Sequence, residues 1–179
     1  MKKNPKALRQ GMRRAVPLIL TVAWLVFMFA NSMQTGEESG EQSKSALAWV
    51  LGLFSSLGLP ISISELFLRK LAHFSEYALL GVLFSLDLWG FGLLARAKSK
   101  SRLLLTCLSA IPCCTLCALI DEFVIQRLTP GRGPSILDVL IDTAGAVTAA
   151  LLVFGIVLLV RHARKKKHTT TCKTEKNML

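Results

Sequence analysis

Three short stretches of this chain place ionisable side chains at helical spacing inside apolar sequence. Arg69, His73 and Glu76 recur at i, i+4 and i+7, a single helix stripe, with Tyr77 beside them. Asp121 and Glu122 are adjacent, and Gln126 follows one turn after Glu122. Asp138 and Asp142 lie one turn apart, with Gly145 three residues further on. Histidine beside carboxylates can move protons, and a guanidinium can hold a phosphate or stabilise an oxyanion. His73, Glu76, Asp121 and Glu122 are therefore the candidate acid–base groups. Arg69, Tyr77, Gln126, Arg132, Asp138 and Asp142 are the candidate ligand-binding groups. No strong nucleophile motif accompanies them, and Ser75 is only a polar neighbour. His73-x-x-Glu76 resembles part of a bundle-core metal motif, but one histidine with no second matching motif argues against a metal. No cofactor motif is present.

The elements that carry these residues are apolar and long. Runs at 71–95, 103–124 and 136–160 each approach or exceed the ~20 residues that cross a bilayer. A fourth run, 15–34, follows a basic segment without a convincing small-residue cleavage site, and so reads as a first span rather than a signal peptide. The 14 residues of 46–59 are too few to span and suit an interfacial or re-entrant segment. The expected fold is an all-α, multi-pass bundle of four transmembrane helices plus that short segment. The membrane domain occupies 15–160, between a basic N-terminus (1–14) and a basic, unstructured tail (161–179).

Charge sets the expected orientation. The chain has 179 residues, 52% of them hydrophobic, and a formal net charge of +11. Seventeen of its 22 Lys and Arg lie in 1–14, 96–102 and the tail from Arg161. Cytoplasmic loops concentrate such residues, and four spans put all three segments, with both termini, on the cytoplasmic side of the cell membrane. The same clusters are the normal signal for topology and for anionic lipids, so the partners expected are membrane lipids rather than nucleic acid. The three polar stretches then share one depth, in the outer half of the bilayer. Ionised groups there are costly and face the bundle, where they pair.

Several residues also have simpler readings. Lys70, about 100° round the helix from Arg69, is expected to snorkel to the headgroups. Ser135-x-x-Asp138 matches a capping box, so Asp138 can serve as a cap, a site residue or both. Tyr77 fits an interfacial anchor. Gly145 and Ala149 form a helix-packing pair. Asp87 stands alone further along its span. Pro130–Ser135, with Gly131 and Gly133 around Arg132, can offer free N–H groups and a guanidinium to an anion just before a helix. Cys107, Cys113, Cys114 and Cys117 suit helix packing, Cys172 lies in the tail, and Pro112 should kink the third span.

The motifs Arg69-Lys70-x-x-His73-Phe74-x-Glu76-Tyr77-x-x-x-Gly81, Asp121-Glu122-x-x-x-Gln126-x-x-x-Pro130-Gly131-Arg132 and Asp138-x-x-x-Asp142-x-x-Gly145 resemble those of the VanZ-like family of small bacterial membrane proteins. Ser32-x-Gln34 is similar to the family's serine/glutamine signature at the end of the first span, which adds Ser32 and Gln34 to the candidate binding residues. The resemblance covers most of 20–160. Asp142 departs from it by standing where the family pattern usually has asparagine, which adds a negative charge. The founding member is associated with low-level resistance to teicoplanin, a lipoglycopeptide that targets peptidoglycan precursors at the outer membrane face.

The expected function is accordingly to act on or shield a cell-envelope lipid or an anionic, lipid-linked cell-wall precursor. A small ion- or proton-coupled transporter and a non-catalytic membrane partner subunit are the alternatives.

Overall fold

The computed structural model describes residues 5–59 and 61–176, with side chains over 8–59 and 61–166. Pro60, Lys2, Lys3 and the Cys172 side chain lie outside the described residues. The chain forms an all-α bundle, with no strand among the described residues, and four of its helical segments are long and apolar enough to cross a membrane: Leu8–Ser32, Glu65–Gly90, Lys100–Gln126 and Ile136–Lys166.

Helix α1 (Pro5–Ser32) supplies the first segment and ends before Gln34, which sits in the turn that follows. Helix α2 (Gly36–Ser56) is longer than the 46–59 run suggests. It starts ten residues earlier because Thr35 and Glu38 form a capping box, in which the Thr35 hydroxyl accepts from Glu38 N and Glu38 accepts from Thr35 N. None of its residues is buried. Helix α3 (Glu65–Gly90) begins where Ser64 caps Phe67 N and stops five residues short of the apolar run, at Gly90. A single turn, α4 (Leu93–Arg96), follows.

The third segment is composite. Helix α5 (Lys100–Leu108) gives way at Ser109 to α6 (Ala110–Ile120), as expected near Pro112, which has no N–H to continue the ladder. The segment then winds as a π-helical turn over Asp121–Gln126. Helix α7 (Ile136–Lys176) is continuous. Its last part, 161–176, contains no glycine or proline to break it, so the tail expected as unstructured continues the helix to Lys176.

Helix α3 is the hub, packed against α7, α1, α6 and α2. Its approach to α7 depends on small residues. A β-carbon on Gly145 would run into the carbonyl oxygen of Phe74 and lie 3.0 Å from Ala78 N, and one on Gly81 would lie 2.9 Å from Ala149 Cβ. The Gly145 and Ala149 pair is thus a backbone-contact seam, the means by which helices associate where the hydrophobic effect is absent. Around Tyr77 and Leu80 the core collects Met28, Cys114, Ala118, Val139 and Ala146. Large apolar side chains such as Ile19, Val26, Leu116, Leu152 and Leu159 point outward instead. Such an apolar exterior on helices that satisfy their own backbone hydrogen bonds suits a lipid surround.

The end of the bundle near Gly90 is tied by arginines. Arg161 donates to the carbonyls of Ala97 and Leu94 at 2.7 and 2.6 Å, and Arg13 donates to Gly90 O. Asp87, which has no evident partner in the sequence, accepts a 2.8 Å hydrogen bond from Thr21 of α1.

Candidate functional site

The opposite end brings together the C-terminus of α1, the N-terminal half of α3, the π-turn and the start of α7. Between α1 and α3, and beneath α2, lies a cavity of about 470 Å³. Arg69, His73 and Glu76 line it from the α3 stripe, Ser32 and Gln34 from the end of α1, and Arg132 from the loop before α7. Eight residues of one helix, 69–76, thus present three ionisable groups to one space. Ser39, Gln42 and Ser43 of α2 form part of the lining. Sequence reasoning missed these three, although the Thr35-x-x-Glu38 capping box was a readable sign that the helix began early enough to carry them.

Behind the cavity is a buried polar layer. His73 Nδ1 lies 3.5 Å from Asp142 Oδ1, and Asp142 is completely buried. Neither Asp142 oxygen has a hydrogen-bond partner, and neither has His73 Nδ1, so their contact is electrostatic. Tyr77 is 1% exposed with its hydroxyl unpartnered. It belongs to the core beside Asp121 and Asp142 rather than serving as an interfacial anchor: one residue past Glu76, it faces the α6 and α7 side of α3. Buried groups of this kind seldom stay unsatisfied, and this layer is where charge or a proton can be relocated.

The π-turn organises the next layer. Gln126 Nε2 donates both to Asp121 Oδ2 (3.1 Å) and to Glu122 Oε1 (2.5 Å). In an α-helix residue 121 would lie about 140° round the axis from residue 126. The wider i to i+5 winding brings both carboxylates under one amide. π-Bulges are found frequently at functional sites for this ability to re-aim side chains. No glycine, proline or polar break in the sequence announces it.

Glu122 also reaches α7, where its Oε2 accepts the backbone N–H of Ser135 at 2.8 Å. In the expected capping box Asp138 would take that N–H. Only half of the box is present: Ser135 Oγ accepts from Asp138 N, while the Asp138 carboxylate pairs with Lys70 at 2.5 Å. Lys70 therefore does not snorkel away, because a carboxylate on the facing helix stands within its reach. Asp138 is both a partial cap and an inter-helix ion pair.

The loop holding Arg132 is pinned on both sides. Gly36 N donates to Pro130 O at 3.0 Å, and a β-carbon on Gly36 would strike the Gly131 carbonyl. Gly131 takes φ +75°, a conformation that favours glycine. Thr129 donates to the carbonyls of Ile125 and Ser32. The turn offers fewer free N–H groups than expected, those of Gly131 and Gly133. Arg132 N donates to Thr129 O, Ser135 N to Glu122 and Asp138 N to Ser135. Between these two glycines stands the guanidinium, whose Nε is buried without a partner. Burial, and then the neighbouring Arg69, push its pKa down, opposed by Asp121, Glu122 and Glu76.

All twelve sequence-nominated residues therefore converge on this end, eleven as lining or as the hydrogen-bonded and ionic layers behind it and Tyr77 as core. Chemically, the cavity offers two guanidinium groups, an imidazole backed by a carboxylate, and one further carboxylate. Among the described residues, no group of three or more His, Cys, Asp or Glu is arranged to hold a metal ion. Cys107 and Cys114 are buried in the bundle away from the cavity lining.

No curated protein and no solved structure matches this chain. The VanZ/LLP1 family model does, over residues 17–160, a range that holds the second and third membrane-crossing segments whole, the first from residue 17 and the fourth up to the start of the basic tail. The chain is a membrane protein of the VanZ/LLP1 family.

Proposed function

We propose that this protein binds a lipid-linked component of the cell envelope at the outer membrane face and, by shielding it, restricts access of lipoglycopeptides such as teicoplanin. The observation that carries the reading is the cavity beneath α2. It is polar on its floor, through Arg69, His73, Glu76 and Arg132, and apolar on its flank, through Phe27, Ala30, Leu68 and Ala72. Phe27 is 52% exposed on the outside of the bundle. A site of this shape suits a molecule with a charged head and a hydrocarbon tail better than a small soluble metabolite.

The distribution of basic residues supports an outward orientation. Seventeen of the 22 Lys and Arg lie in the three segments assigned to the other side, and the positive-inside rule makes that side cytoplasmic. Family membership is consistent with an envelope role, since the founding member is associated with teicoplanin resistance.

The test is the teicoplanin susceptibility of a Gram-positive host expressing the wild-type chain or an equally abundant Glu76→Gln variant. Raised tolerance with the wild type that is lost in the variant is the expected result. Full tolerance in both Glu76→Gln and Asp121→Asn cells rejects the reading.

A further inference from the structure

We infer that Arg69 and Arg132 are the headgroup clamp of this cavity and that the group they hold is a phosphate ester carried on a single-chain or prenyl-type hydrocarbon. The inference rests on the proposed lipid site and names the chemistry of its ligand. Four observations support it.

First, both guanidinium groups line the same cavity, and neither forms an ion pair with any described residue, although five carboxylates lie at this end of the bundle. Three of these acids are engaged elsewhere, Asp138 with Lys70, Glu122 with Ser135 N and Gln126, and Asp121 with Gln126, and Asp142 faces His73, which leaves Glu76 as the acid that lines the cavity with the arginines. Arg69 is exposed and Arg132 half-buried, and an unpaired, half-buried guanidinium is costly unless an anion joins it.

Second, Arg132 is fixed rather than free. Its loop is locked through Pro130 to α2 and through Thr129 to α1, so little conformational entropy remains to be lost on binding. Its buried, unpartnered Nε leaves a fork of donors available, and that planar fork matches phosphate oxygens better than an ammonium does.

Third, two guanidinium groups against the single carboxylate of Glu76 leave the ionisable lining net positive. That sign selects an anion over a cation.

Fourth, the lining also includes the apolar Phe27 and Ala30 of the first membrane-crossing segment and Ala72 of the second, and Phe27 is 52% exposed on the bundle exterior. A free phosphate would leave this flank empty, whereas an alkyl or prenyl phosphate would cover it. Of the backbone amides before α7, those of Arg132, Ser135 and Asp138 are consumed internally, so recognition rests mainly on the side chains.

The experiment is isothermal titration of the purified full chain in detergent micelles with farnesyl phosphate, farnesol and inorganic phosphate. The variants are Arg69→Gln, Arg132→Gln and Arg132→Lys, with Arg102→Gln at the opposite end as a control for total charge. Farnesyl phosphate should bind the wild type and the control alike. Binding should weaken about tenfold or more in either glutamine variant and by less in Arg132→Lys, which keeps the charge but loses the fork. Farnesyl phosphate binding tighter than inorganic phosphate assigns the site to lipid; equal affinities assign the clamp to free phosphate and overturn the lipid half of the inference. Absence of phosphate binding, or binding undiminished in both glutamine variants that retain wild-type thermal unfolding, overturns it entirely. If phosphate fails while the Glu76→Gln loss of tolerance stands, the proposed envelope role survives and only the ligand chemistry is wrong.

Discussion

Glu122, on a π-helical turn, accepts the backbone N–H of Ser135 at the start of α7, thirteen residues later, at 2.8 Å. The contact closes the loop that carries Arg132, and the other oxygen of the same carboxylate accepts from Gln126. One fully buried side chain therefore fixes the third segment, the loop and the fourth segment together. Removing it should be costly. Glu122→Ala leaves Ser135 N without a partner and takes one of the two acceptors of Gln126 Nε2, and a buried group that loses its partner costs about 1–3 kcal/mol. Glu122→Gln keeps an acceptor and should cost less. Thermal unfolding in detergent should rank wild type above Glu122→Gln and Glu122→Ala lowest. An alanine variant as stable as wild type would show that the contact closes nothing.

The Lys70–Asp138 ion pair joins α3 to α7, with the two side chains 29% and 24% exposed. Such a partly solvated pair should be worth about 1 kcal/mol of coupling. A double-mutant cycle with Lys70→Ala and Asp138→Ala would measure it. Strict additivity of the two losses would mean that the pair contributes no net attraction.

The seam between α3 and α7 makes opposite predictions for two glycines of one helix. At Gly145 an added methyl meets the Phe74 carbonyl, and Gly145→Ala should destabilise by about 1–3 kcal/mol because backbone cannot step aside. At Gly155 nothing lies within 4 Å. There the same substitution should be neutral or stabilising by about 0.5–1 kcal/mol, the ordinary helix-interior gain. Thermal unfolding of the two variants side by side checks both signs.

The start of α2 should respond to acid. The backbone and hydroxyl of Thr35 hold the Glu38 carboxyl below its ordinary value of 4.5. A depressed carboxylate contributes stability that is present above its unfolded-state pKa and lost as pH falls through the lower folded value. Protection of the Thr35 and Glu38 amides from exchange should therefore exceed that in Glu38→Gln at neutral pH. The excess should disappear as the pH drops below about 4.5. Equal protection at neutral pH would mean that the capping carboxylate does not hold this turn.

Much of this arrangement was legible in the sequence. The Arg69, His73, Glu76 stripe and the Asp138, Asp142 pair declared a shared face because helical periodicity is rigid, and four apolar runs declared the bundle. The exchange of partners was not legible. A capping-box spacing assigns the Ser135 N–H to Asp138, and only the tertiary approach of Glu122 takes it away and frees Asp138 for Lys70. The π-turn was hidden because its residues, Asp121 to Gln126, carry no breaker, so the extra residue per turn comes from packing. Tyr77 was misplaced because amphipathic side chains are commonest at interfaces, whereas its position beside Glu76 turns it inward. Thr21, the partner of Asp87, lies 66 residues away on another helix, beyond any local pattern.

The most direct measurement of the central claim is the amount of fluorescently labelled teicoplanin bound per cell. Hosts would carry the wild-type chain, an equally abundant Glu76→Gln variant or an empty vector. Shielding at the outer face predicts less bound label with the wild type than with the vector, and a return to the vector level with Glu76→Gln. Equal label in wild-type and vector cells, or full reduction in the variant, would contradict it.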